Sequence, residues 1–164
     1  MNNLKTFLSD ISLIWWIIST FIIGSGILIY FCKYIKVQWR FAKNLKKKIY
    51  FLKTSNDKNL QTQRDKIKNL HLFNIEEDIK DISSNLTVLQ NLKNNAVYVV
   101  GYNKDYDYNN LFTEVKNNEI PIIIFANQGE IKKDWNLFNN YIYCDISNTT
   151  NRLAVILLNI LKIV

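Results

Sequence analysis

Apolar and polar residues along this chain follow two different patterns. From Ile11 to Cys32 no charge interrupts 22 consecutive positions, whereas beyond Ile49 short apolar runs alternate with longer amphipathic stretches. A helix over the first segment would be about 33 Å long, close to the ~30 Å hydrocarbon thickness of a bilayer. A core helix of a soluble domain rarely needs such length. The rings of Trp15, Trp16, Tyr30, Tyr34 and Trp39 also suit the two membrane boundaries. The expected division is a tail over 1–10, a transmembrane helix over 11–32, a basic juxtamembrane helix over 33–47 and a compact domain over 48–164.

In the domain, Ile49 to Leu52 reads as a strand, Thr54 to Asp57 as a loop and helix cap, and the following polar stretch as a helix to about Asn69. Leu70 to Phe73 gives a short second strand. Ile75, Ile79, Ile82, Leu86 and Leu89 recur at steps of three and four, which predicts a helix over 75–92 with one buried face. Ala96 to Val100 is an unbroken, β-branched run of the kind found in strands covered on both faces. Tyr108, Leu111, Phe112 and Val115 mark the inner stripe of the next helix, which Pro121 requires to end by about Asn118. A strand over Ile122 to Ala126, a short helix over Glu130 to Phe138, a strand over Tyr141 to Cys144 and a helix over Thr149 to Val164 complete the chain. The last helix carries more apolar surface than one sheet face needs, which points to an interface.

Five strands alternating with five helices imply an α/β fold, a five-stranded parallel doubly wound sheet of order 2-1-3-4-5 behind one N-terminal transmembrane helix. In such sheets ligands bind at the carboxyl ends of the strands. That rim would comprise Lys53, Thr54, Ser55 and Asn56 after the first strand, Gly101, Tyr102 and Asn103 after the third, and Asn127 and Gln128 after the fourth. Hydroxyl and amide groups at a helix start beside a lysine can receive a phosphate, although Thr-Ser-Asn-Asp is equally an ordinary helix cap.

Charge changes the picture near the membrane. The net charge is +7, yet the bases Lys33, Lys36, Arg40, Lys43, Lys46, Lys47, Lys48 and Lys53 stand together with no acid among them. From Thr54 onward 12 bases face 13 acids. The domain is thus nearly neutral, which argues against DNA or RNA as a partner and for a basic collar beside anionic lipid, each charge contributing about 1 kcal/mol. The same asymmetry puts residues 33–164 in the cytoplasm and the N-terminus outside a plasma or inner membrane. Cys32 and Cys144 then read as free thiols in a reducing compartment. Within the span Ser12, Ser19 and Gly26 recur every seven residues, a face on which small side chains would let helices of a homo-oligomer approach closely.

Several chemistries lack their residues. The four glycines, Gly24, Gly26, Gly101 and Gly129, form no phosphate loop, and His71 is the sole histidine, so neither a His-dependent triad nor a multi-His metal site can be built within one chain. The acids Glu76, Glu77, Asp78, Asp105 and Asp107 read as solvated helix-start charges, and no metal or resident cofactor is expected. Gly101-Tyr102 and Cys144-Asp145 stand where a phosphoacceptor receiver would need an acid and a lysine. A flavodoxin phosphate loop is not matched at Lys53 to Lys58.

The run AVYVVGYNKDYDYNNLFTEVKNNEIPIIIFA resembles the strand, loop, glutamate-bearing helix and strand of TIR domains, and the arrangement of one span before such a domain is similar to CARF-like membrane effectors of prokaryotic antiviral signalling. The resemblance lies in the element pattern. It implies a non-enzymatic sensor-effector that binds a cyclic or NAD-derived nucleotide at the rim and reorganises its membrane helices. It implies alternatively a TIR-like NAD hydrolase with Glu114 as the catalytic acid, although Tyr108-Asn109-Asn110-Leu111 replaces the family's usual approach to that glutamate. A plain protein-docking adaptor is the third expectation.

Overall fold

The computed structural model describes residues 2–54, 58–83, 86–131 and 133–163. The chain divides into two units, Met1–Arg40 and Phe41–Val164.

The first unit is almost all of helix α1 (Asn2–Asn44), which begins earlier than the apolar run and so takes in the expected tail. Every described side chain from Leu13 to Arg40 is exposed. The hydroxyls of Ser19 and Thr20 donate to the Trp16 carbonyl at 3.0 and 2.8 Å, and Ser25 donates to Ile22 at 2.9 Å. These three polar side chains are therefore satisfied inside the helix, as an apolar solvent requires. By length and composition this helix is able to cross a membrane.

The second unit is an α/β domain built on a parallel sheet. Its elements are β1 (Lys48–Lys53), α2 (Lys58–Lys68), β2 (Asn74–Ile75), β3 (Lys80–Asp81), α3 (Leu86–Gln90), β4 (Ala96–Gly101), α4 (Asn109–Asn117), β5 (Ile122–Phe125), α5 (Trp135–Asn139), β6 (Cys144–Ser147) and α6 (Thr150–Ile163). The strand order is β2-β1-β4-β5-β6, with β3 also on β1. Because side chains alternate along a strand, each central strand serves two cores. Tyr50, Leu52, Tyr98, Val100, Ile122 and Ile124 meet side chains of α4 and α5. Ile49, Phe51, Val97, Val99, Ile123 and Phe125 meet those of α2 and α6. Each fully buried Ile, Leu or Phe contributes about 1.5–3 kcal/mol, and double-sided burial explains why these strands read as continuous apolar runs.

The edge of the sheet departs from the expected helix over 75–92. Ile75 and Ile79 pack into the core shared with α2 and α6, whereas Ile82 and Leu89 enter the opposite one. One helix face cannot reach both sides of a sheet. Among its described residues only Leu86–Gln90 is helical, and the first half of the segment forms an interrupted edge strand: Ile75 pairs with Ile49 and Lys80 with Leu52, so residues 76–79 oppose only Tyr50 and Phe51. Ion pairs from Glu76 to Lys48 (2.6 Å) and from Glu77 to Lys68 (3.1 Å) brace the bulge. Leu70 to Phe73 is not a strand. Leu70 and His71 donate back to Ile67 and Lys68, and His71 takes a positive φ of 53°, so this stretch turns the chain out of α2.

The opposite edge is also shifted. β6 begins at Cys144 rather than Tyr141, because the Tyr141 hydroxyl is buried and donates at 2.9 and 2.8 Å toward the Val115 and Ile120 carbonyls. With Tyr143 and Ser147 accepting from Ile122 and Ala126, the N–H groups of Cys144 and Ile146 face away from the sheet. They are taken up by the Tyr141 carbonyl at 2.9 Å and the Asp145 carboxylate at 2.8 Å. The exposed edge thus offers neither of these donors to another strand.

Helix α6 spends most of its apolar side chains inside the domain: Leu153, Ile156, Leu157 and Leu161 are buried, and Phe41 and Leu45 pack against the same core. The buried Asn44 amide donates to the Leu161 carbonyl at 2.9 Å, satisfying part of the helix end. Among its described side chains, Val155 is 56% exposed and Ala154, Leu158 and Ile160 are half-buried.

Candidate functional site

At the carboxyl ends of β4 and β5 lies a polar cavity of about 260 Å³, lined by Asn59, Tyr102, Phe125, Ala126, Asn127 and Glu130. Tyr102 follows β4 directly and is fixed by its N–H donating to the Phe125 carbonyl at 2.8 Å. Its ring stacks on Tyr108 and its hydroxyl donates to Asp134 at 3.1 Å. Asn127 follows β5, and both its backbone N–H and its side-chain amide donate to the Glu130 carboxylate at 2.8 Å. That turn, completed by Gly129 at φ 82°, displaces the expected helix start from Glu130 to Trp135.

The other rim residues are close by but engaged elsewhere. Lys53 Nζ lies 3.4 Å from Asp81. Thr54 is buried and its hydroxyl donates to the Gly101 carbonyl at 2.8 Å, bridging β1 to β4. Asn103 donates to the Thr54 carbonyl at 3.3 Å and accepts from Asp105 N–H at 3.1 Å. A Cβ at Gly101 would meet Leu60 Cδ2 at 3.2 Å, so a larger residue there needs that side chain to give way by a few tenths of an ångström. Gln128 lies exposed in the turn, and Ser55 and Asn56 fall outside the described residues. Glu114 sits half-buried on α4 and is not part of the cavity wall.

Sequence reasoning missed Asn59, Glu130 and Asp134. Glu130 was readable as a helix-start acid; its role in closing the turn on Asn127 depends on Gly129 turning the chain back. Of these, Glu130 lines the cavity and Asp134 accepts from the Tyr102 hydroxyl beside it. Burial, the hydrogen bond to Asp134 and the nearby Glu130 and Asp105 together push the Tyr102 phenol up to about 12. Six hydroxyl and thiol groups of the domain share this direction, with burial the largest cause: Tyr98, Tyr106 and Tyr108 are raised, and Tyr102, Tyr141 and Cys144 are pushed up to about 12. Asp145 adds to the effect at Cys144.

The consequence for stability has a definite sign. The fold favours the protonated forms, so their contribution is complete below the ordinary values of 9.0 for the thiol and 10.0 for the phenols, and is lost as pH rises from there toward 12. Stability followed by urea titration should begin to fall near pH 9. In Cys144→Ala the onset should move up to the phenol range, and an unchanged onset would remove Cys144 from this account.

Among the described residues no cluster of three or more His, Cys, Asp or Glu side chains has a metal-site arrangement. Compared with protein-family models, curated proteins and solved structures, the chain matches none.

Proposed function

We propose that this is a single-span membrane protein whose cytoplasmic, doubly wound Rossmann-like domain is a non-catalytic receptor for a nucleotide-type messenger, the nucleoside end of which enters the rim cavity. The observation that carries this reading is the cavity wall itself. Glu130 retains acceptor capacity after binding Asn127, while the Asn59 amide oxygen on the same wall already accepts from Gln63 at 3.0 Å. Such a surface suits donors, namely ribose hydroxyls or an exocyclic amine, better than a phosphate. A volume of about 260 Å³ lies just below the usual range for whole-ligand sites, which fits one nucleoside rather than a complete dinucleotide. Occupancy would be passed to α1, whose copies associate along Ser12, Ser19 and Gly26 and so perturb the bilayer.

Thermal unfolding of the detergent-solubilised chain tests this against adenosine, guanosine, NAD, cyclic dinucleotides and inorganic phosphate. A nucleoside-containing compound at about 100 times its Kd should add about 2.7 kcal/mol of stability, with phosphate alone inert. Glu130→Gln should reduce the shift by at least half. If no compound moves the midpoint, the receptor reading fails and the domain is better described as a docking adaptor, for which the exposed Trp135 and Ile142 provide an apolar surface.

A further inference from the structure

The carboxylate in the wall of the rim cavity is tied down in a way that leaves part of it open to a ligand. Asn127 donates its backbone N–H to Oε2 of Glu130 and its side-chain amide to Oε1, both at 2.8 Å, and the Glu130 N–H donates back to the Asn127 carbonyl at 3.3 Å. These bonds hold the carboxylate to the turn. Each of its oxygens is bound once and keeps a further acceptor position. Among the described residues Glu130 forms no ion pair, so no cation of the domain competes for those positions.

Tyr102, on the same wall, commits its hydroxyl proton to Asp134 at 3.1 Å, which leaves the phenol oxygen able only to accept. Asp134, Glu130 and Asp105 all act to keep that phenol protonated. A carboxylate held beside it repels a ligand edge that presents acceptors and takes one that presents two adjacent donors. The common bases differ on this point. Adenine and cytosine set a ring-nitrogen acceptor beside the exocyclic amine, and uracil sets its N3–H between two carbonyls. Guanine carries two neighbouring donors, N1–H and the 2-amino group, on its base-pairing edge, the edge by which proteins read unpaired bases.

We infer that Glu130 selects guanine at this rim, its two oxygens accepting from N1–H and from the 2-amino group. The inference rests on the reading of the cavity as a nucleoside receptor and narrows its ligand to a guanosine-type nucleotide.

Equilibrium dialysis of the detergent-solubilised full chain against guanosine, inosine, 2-aminopurine riboside and adenosine reads this selection. Inosine lacks the 2-amino group and 2-aminopurine riboside lacks N1–H, so each should bind roughly tenfold more weakly than guanosine, the value for one hydrogen bond to a charged group. Adenosine should bind more weakly still, because its N1 lone pair meets the carboxylate. In Glu130→Gln, with folding checked by the unliganded urea midpoint, guanosine and inosine should come to within about twofold of each other. An equal loss for both nucleosides, with their ratio kept, means that Glu130 only shapes the turn and overturns the inference. Adenosine binding as tightly as guanosine in the parent overturns guanine selection and leaves the receptor reading in place. Binding of none of the four overturns the nucleoside reading of the cavity, and the selection with it.

Discussion

Replacing Ile18 and Ile22 together by arginine should abolish stable membrane association. Both lie near the middle of the apolar run and both are exposed on α1. Each arginine at the centre of a span costs about 2.5–3.5 kcal/mol on insertion scales, so the pair weakens insertion by a factor of roughly ten thousand. Carbonate extraction gives the readout. The parent and an Ile18→Leu/Ile22→Leu control should remain with the membrane pellet and the double arginine variant should leave it. A double arginine variant as resistant as the parent would mean that this segment is not held by the hydrocarbon layer.

The second large effect belongs to the domain. Tyr108 precedes α4 and is 1% exposed; it stacks on Tyr102 and meets Phe138 edge-on at 5.2 Å. Its hydroxyl accepts from Asn103 N–H at 2.7 Å and donates weakly to the Gly101 carbonyl at 3.4 Å. Tyr108→Ala removes a large buried ring and should cost about 3–5 kcal/mol, a major share of the stability of a domain this size. Tyr108→Phe keeps the ring and leaves the Asn103 N–H without its partner, at about 1–3 kcal/mol. Urea titration of the solubilised protein separates the two. If both variants lose the same amount, the ring contacts contribute nothing beyond the hydroxyl, and the aromatic cluster does not support the rim as described.

The central strands were legible because physics repeats the same instruction along them. Ile49 to Leu52, Ala96 to Val100 and Ile122 to Phe125 are covered on both faces, so no polar residue breaks the run. The edges were not. Ile75, Ile79 and Ile82 are spaced for a helix but divide between two cores around a bulge, and nothing local to them reveals the sheet lying between. Tyr141 reads as the start of a strand until its hydroxyl finds two carbonyls far away in sequence. Of the expected rim residues, Tyr102 and Asn127 line the cavity at the strand ends, whereas Lys53, Thr54 and Asn103 bond to other partners. Its chemistry was hidden because the deciding bonds are non-local: Thr54 is satisfied by Gly101, and Tyr102 by Asp134. The cavity wall carries Glu130, while Ser55 and Asn56 of the expected phosphate-receiving loop lie outside the described residues.

If α1 anchors the chain in a bilayer as proposed, the two satisfied donors at the β6 edge bear on how neighbouring copies meet. Domains tethered to a two-dimensional sheet of lipid collide repeatedly, at effective concentrations that reach the millimolar range when tethers are short. Under that crowding an open strand would seed lateral polymers regardless of ligand. Here the outward N–H groups of Cys144 and Ile146 are already satisfied by Tyr141 and Asp145, and the far edge is broken by a bulge. These two donors are thus withheld from any neighbouring strand, which disfavours lateral strand pairing between copies held at one surface.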